Sequence, residues 1–144
     1  MREIEFRAKS VDRFRLNDID NGWVYGDLYH NEAETMIIEQ PSGNEIDVDK
    51  DTLGQYTGLK DKNGQKIFEG DIFEIEENEA IGVVVFEKGA YRIKIYGYRE
   101  VLYEYGYDTG SWDYWATEDF DMYYIDQMEV IGNIYDNPEL LKGE

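Results

Sequence analysis

Gln55-Tyr56-Thr57-Gly58-Leu59-Lys60-Asp61-Lys62-Asn63-Gly64-Gln65-Lys66-Ile67-Phe68 is the stretch that decides the fold class. Lys60 to Gly64 is the strongest hairpin signal in the chain, because Asn and Gly tolerate the positive φ that tight hairpin turns require. Residues 55–59 are therefore predicted as a short strand and residues 65–68 as its return. Glu69-Gly70-Asp71 makes a further turn, and Ile72-Phe73-Glu74-Ile75 leaves it as the next strand.

The same punctuation continues on both sides. Val83-Val84-Val85-Phe86 is an apolar run short enough for a strand buried on both faces. Residues 90–95 alternate, with Tyr91, Ile93 and Ile95 expected inward and Arg92 and Lys94 outward. A late strand is expected over residues 128–135. Beyond it, Asn137 suits a helix cap and Pro138 the first helical position, so a single helical turn is expected to close the chain. Toward the N-terminus, residues 3–9 alternate, with Ile4, Phe6 and Ala8 on one side and Glu5, Arg7 and Lys9 on the other. Asp20-Asn21-Gly22 turns the chain into a strand over 23–29, and residues 40–44 separate a strand at 35–39 from one at 45–49. The expectation is an all-β protein. Residues 1–50 form an N-terminal β meander, and residues 51–144 form a C-terminal part whose spacing fits a small SH3-like barrel. An acidic, aromatic-rich insertion lies around 100–125.

Composition narrows the functions. The 144 residues suit one domain or two small β modules. The chain has no cysteine, which removes disulfides, thiolate metal sites and cysteine nucleophiles together and suits a reducing cytoplasm. Its first residues alternate charged and apolar side chains, where a signal peptide needs an apolar run of about 7–15. No stretch approaches the roughly 18 apolar residues of a membrane span. A cytoplasmic protein without a membrane partner is expected. Fourteen Lys and Arg against 33 Asp and Glu give a net charge of −19. That field opposes direct nucleic-acid binding, which draws its affinity from neutralising phosphates. Thirteen Tyr and three Trp argue for a packed fold over an acidic disordered chain.

No catalytic constellation is visible. The single histidine, His30, has no nucleophile elbow to serve, and it is expected in an exposed loop. The glycines at 54–58 and 64–70 do not form a phosphate loop opening a helix, so they are assigned to hairpins. Asp18, Asp20, Asp47, Asp49 and Asp51 place carboxylates at alternate positions, but no twelve-residue calcium loop is present. No cofactor and no metal are expected, and the chain is not expected to be an enzyme.

Residues 52–72, Thr52-Leu53-Gly54-Gln55-Tyr56-Thr57-Gly58-Leu59-Lys60-Asp61-Lys62-Asn63-Gly64-Gln65-Lys66-Ile67-Phe68-Glu69-Gly70-Asp71-Ile72, closely resemble the signature of the YopX family. The opening residues 1–9 and the closing residues 129–141 are similar to that family's two ends, and Trp23-Val24-Tyr25-Gly26 also fits. The resemblance implies phage or prophage origin, an all-β fold with an SH3-like part, and homo-oligomerisation, with no assigned reaction. Within the matching blocks, Gly54, Gly58, Gly64, Gly70 and Gly132 are expected at turns or close backbone approaches. Asn63, Asp71 and Asn133 are expected to complete the turns. Tyr56, Ile67, Phe68, Ile72, Ile131 and Ile134 are expected to supply core or inter-strand packing.

The most informative segment follows Arg99. Residues 100–141 hold eleven acids and no Lys or Arg, interleaved with aromatic rings. Tyr105, Tyr107, Trp112, Asp113, Tyr114, Trp115, Glu118, Asp119 and Asp121 are the candidate partner-binding residues, since aromatics bury large area at low entropy cost. Packing against the barrel or a sister subunit with the acids facing solvent, recognition of a basic or nucleic-acid-binding host protein, and an aromatic pocket for a small ligand such as a nucleotide are the three readings.

Overall fold

The computed structural model describes residues 3–12, 21–76, 80–87, 89–98, 112–119 and 128–142, with backbone alone for 75–76, 80, 95, 97–98, 112–119 and 142. Apart from one 3-10 helix, the elements among the described residues are strands: β1 (Phe6–Ser10), β2 (Trp23–His30), β3 (Thr35–Ile38), β4 (Glu45–Lys60), β5 (Lys66–Phe68), β6 (Asp71–Glu76), β7 (Ala80–Glu87), β8 (Ala90–Tyr98), β9 (Trp112–Asp119) and β10 (Val130–Asn133). The chain is all-β, as its turn chemistry predicts. It divides into two compact units, Met1–Gly58 and Leu59–Glu144.

In the first unit β1 to β4 follow one another as antiparallel neighbours, and β4 also pairs with β1. The meander thus returns on itself. Closure needs sharp corners, and one lies at Gly26. Residues Trp23 to Gly26 pair with β1, whereas Asp27 to His30 pair with β3. At the handover the backbones approach so closely that a Cβ on Gly26 would collide with the Ile38 carbonyl. A second corner lies in β4, whose pairing with β1 jumps from Lys9–Asp49 to Arg7–Gly54. There the Thr52 hydroxyl replaces a ladder bond. It accepts the Lys9 N–H at 2.8 Å and donates to the Asp49 carbonyl at 2.7 Å. Ala8, Val24, Ile37 and Val48 form the buried cluster, flanked by Phe6, Ile46 and Leu53.

The alternation predicted over residues 3–9 holds for Phe6 and Ala8 but fails at two positions. Ile4, expected inward, is exposed. Arg7, on the polar side of the pattern, is only 5% exposed. Its guanidinium lies 4.6 Å from the centroid of the buried Trp23 ring, and the Lys9 ammonium lies 5.2 Å from the same ring. An aromatic face attracts a cation and accepts its desolvated stem, so an arginine on a strand need not point into water.

In the second unit the strand order is β10-β6-β7-β8-β9, all antiparallel. Among the described residues no pairing of β9 with β10 closes this order. The SH3-like barrel expected for this half is therefore not confirmed, and strand closure is found in the first unit instead. The sheet is apolar on both faces. Ile67, Phe73, Val84 and Ile93 cluster with Leu59, Met128 and Val130, while Ile72, Ile81 and Val83 cluster with Val85, Tyr96, Ile134, Leu140 and Leu141. Adjacent Val83 and Val84 enter different clusters, which is the two-sided burial predicted from the apolar run. Phe86 ends that run in the open, 52% exposed and edge-on to Tyr91 at 5.1 Å.

Leu140 and Leu141 belong to the 3-10 helix Pro138–Lys142, placed where the Asn-Pro pair predicts a helical turn. Asn137 does not use its side chain as the cap. Its Oδ1 accepts the Asn133 N–H at 3.2 Å, tying the helix start back to β10.

Candidate functional site

Six of the candidate partner-binding residues, Trp112, Asp113, Tyr114, Trp115, Glu118 and Asp119, fall on one strand, β9, at the end of the second unit's strand order. Tyr105, Tyr107 and Asp121 lie outside the described residues. The β9 backbone runs antiparallel to β8 with Tyr98 opposite Trp112, Gly97 opposite Asp113, Tyr96 opposite Tyr114, Ile93 opposite Glu118 and Arg92 opposite Asp119. The register shifts between Ile95 and Tyr96, whose partners are Ala116 and Tyr114, so Trp115 is the extra residue of a bulge. The strand carries three acids and no cation, while its neighbour β8 carries Arg92 and Lys94. Lys94 also meets Glu87 at 3.1 Å, and the Arg92 Nε–H donates to the Glu87 carbonyl at 3.2 Å.

The turn residues of the signature stretch have a clear structural role, and its centre is a residue that turn statistics did not single out. Asp61 is 6% exposed at the head of the β4–β5 turn. Its Oδ1 accepts the N–H groups of Asn63 and Gln65, both at 2.9 Å, and its Oδ2 accepts the Val130 N–H at 3.0 Å. Burial pushes this carboxyl up. The backbone donors of Val130, Gln65 and Asn63, with the Lys62 charge, outweigh burial and hold it below the ordinary value of 3.8. Asn63 adds a link from its carboxamide to Glu129 at 3.1 Å, and the Lys62 N–H donates to the Met128 carbonyl at 2.9 Å. The hairpin is thereby stitched to the segment entering β10. The signal for this role was present in the sequence: an Asp two residues ahead of Asn-Gly is the side chain that caps such a turn.

Gly64 and Gly70 have φ of +81° and +89°, as turn glycines should. Gly70 also joins three strands' worth of backbone. Its N–H donates to the Val84 carbonyl at 2.8 Å, its carbonyl accepts the Ile134 N–H at 2.9 Å, and the neighbouring Asp71 accepts the Phe68 N–H at 2.8 Å. Gly54 and Tyr56 are buried within β4, and Gly58 turns that strand with φ of +89°. Gly132 answers to crowding: a Cβ there would stand 2.5 Å from Asn137 Oδ1. Asn133 accepts the N–H groups of Tyr135 and Asp136 at 3.0 and 2.9 Å, closing the turn after β10. Ile67, Phe68 and Ile72 are buried as expected, but Ile131 is 42% exposed because it lies in the β6–β10 register irregularity.

His30 ends β2, exposed, with Nδ1 2.8 Å from Thr35 Oγ1. Residues 30–35 with Asp47, Val48 and Lys50 line an open cleft of about 490 Å³ in the first unit. Among the described residues no carboxylate hydrogen-bonds the His30 ring, and no group of three or more His, Asp or Glu is placed to hold a metal ion. The cleft carries charge of both signs, from Glu32, Glu34, Asp47 and Lys50, around the His30–Thr35 contact. Among the described residues no helix is long and apolar enough to cross a membrane.

Beyond the local chemistry, the sequence matches the YopX protein family over residues 5–142. The chain belongs to the YopX family. The matched span includes the closed meander of the first unit, the Asp61 hairpin and β10. A crystal structure of protein EF1440 from Enterococcus faecalis is similar at 25% sequence identity, with 98% of this chain and 99% of that chain covered and a TM-score of 0.44. No curated protein matches the chain in sequence. Within the matched span, the turn residues of the signature stretch build hairpins.

Proposed function

We propose that this YopX family member is a non-enzymatic protein that acts by binding other proteins and assembles as a homo-oligomer, with the acidic aromatic segment around β9 as its contact surface. The observation that supports it most is the composition of residues 100–141, where eleven acids and no Lys or Arg accompany the aromatic run on β9. Trp and Tyr anchor interfaces by burying wide rigid faces, and surrounding carboxylates select a partner by charge.

Light scattering tests the assembly. The purified protein is expected to run at a multiple of its 17.0 kDa chain mass, and the paired substitutions Trp112→Ser and Trp115→Ser are expected to lower that mass. A monomer at every concentration, or an unchanged mass in the variant, counts against β9 as the assembly surface.

The charge supports a second reading, a counter-defence role in which the acidic face imitates nucleic acid and occupies a host protein that handles it. Association of that kind is screened by salt, so capture of such a host protein at low ionic strength should be lost by about 0.5 M salt. Capture that persists there, or no capture at any salt, removes this reading. An aromatic pocket sequestering a nucleotide stands behind both, and equilibrium dialysis against nucleotides decides it.

A further inference from the structure

We infer that Asn21–Gly22 is a site of spontaneous deamidation, and that the fold protects the chain's other Asn-Gly pair, Asn63–Gly64. In this reaction the backbone nitrogen of the glycine, after losing its proton, attacks the asparagine Cγ. A C–N bond forms, the Cγ–amide bond breaks, and ammonia leaves with the proton. Water then opens the cyclic imide to aspartate or isoaspartate. Glycine as the second residue favours the step because no side chain shields its nitrogen.

The two pairs are the same dipeptide, each in a turn, but Asn21 has positive φ and Asn63 does not, and they are held differently. At the second pair, the Gly64 N–H donates to the Asp61 carbonyl at 3.0 Å. The Asn63 carboxamide donates to Glu129 at 3.1 Å, and the Asn63 N–H donates to Asp61 Oδ1 at 2.9 Å. Both the attacking nitrogen and the attacked group are therefore engaged. Reaction there requires the turn to open and release Asp61 and Glu129 first. At the first pair, Asn21 is exposed and left-handed, with φ of +54°, and Gly22 has φ of +83°. Among the described residues only the carbonyls are engaged: Asn21 O accepts from Lys9 Nζ at 2.9 Å, and Gly22 O accepts from the Ser10 N–H at 2.8 Å. Among the described residues nothing holds the Asn21 carboxamide or the Gly22 N–H. Conversion adds one negative charge beside β1. The isoaspartate form also adds a carbon to the main chain at the entry to β2, where the Ser10–Gly22 bond sets the register.

Peptide mapping of the intact, folded protein during incubation at mildly alkaline pH tests this, with isoaspartate read by an isoaspartyl methyltransferase and by the amide-to-acid mass gain. Asn21 should convert at least about tenfold faster than Asn63, the factor expected when one site must first break two hydrogen bonds. In urea-unfolded protein the two rates should come within about threefold of each other, since the protection belongs to the fold. Glu129→Ala, which frees the Asn63 carboxamide, should raise the rate at Asn63 and leave Asn21 unchanged. Equal rates in the folded protein, faster conversion at Asn63, or no conversion at Asn21 would each overturn the inference.

Discussion

The Asp61 carboxylate accepts the Val130 N–H at 3.0 Å across 69 residues of chain, and with its other oxygen it caps the turn that it begins. One side chain thus fixes both a local hairpin and a long-range contact in the second unit. A buried carboxylate with several charge-assisted bonds contributes strongly, because removing it strands each donor.

Asp61→Asn should therefore destabilise the protein by about 2–3 kcal/mol, since an amide nitrogen would face the Val130 N–H. The midpoint of urea unfolding reads this directly. A loss below about 0.5 kcal/mol, the size of an ordinary surface substitution, would mean that water replaces the carboxylate without penalty.

The same group predicts a pH dependence. Its folded pKa lies below the ordinary 3.8, so its stabilisation is complete above that value and disappears as pH falls through the folded pKa. The stability gap between the native protein and Asp61→Asn should be constant near neutrality and shrink in acid below about pH 4. Other carboxylates titrate in both proteins and cancel in the difference. A gap that widens in acid would reverse the sign of the assignment.

Gly26 and Gly43 offer a matched comparison. A Cβ at Gly26 would strike the Ile38 backbone, where β2 passes from one neighbour to the other. At Gly43, with φ of +79°, a Cβ meets nothing within 4 Å. Gly43→Ala should cost about 1–2 kcal/mol from the left-handed backbone alone, whereas Gly26→Ala should cost about 3 kcal/mol or prevent folding. Thermal unfolding of the two variants distinguishes them, and equal losses would show that the corner relaxes.

Gly132 and Asn137 should be energetically coupled. Gly132→Ala brings a methyl to 2.5 Å from Asn137 Oδ1 and 2.8 Å from its Cγ, at a cost of about 1–3 kcal/mol. Asn137→Ala alone loses the bond to the Asn133 N–H, about 1 kcal/mol. Together they should cost less than the sum by about 1 kcal/mol, because the second change removes the obstacle to the first. Additive losses in a double-mutant cycle would deny the contact.

The parts of this fold legible in the sequence are those fixed by near neighbours. Asn63-Gly64 announces its hairpin, Val83-Val84 announces a strand buried on two sides, and Asn137-Pro138 announces the closing turn. Long-range consequences were not legible. The pairing of β1 with β4 joins residues 38 to 49 apart in sequence, which no local pattern announces. Arg7 looks like a solvent position by alternation because no pattern encodes the Trp23 ring beside it. Ile131 looks like core because a register irregularity leaves no trace in hydropathy. Of the candidate site, β9 was legible as a concentration of acids and rings, while its place beside β8 and the extra residue at Trp115 were not.

The border between the two units falls inside β4, a strand of sixteen residues, and not in a linker. Gene fusions or deletions that swap one half for a foreign module would have to cut a hydrogen-bonded ladder. Neither half is thus free to drift through recombination by itself, and the two are expected to be inherited as one piece.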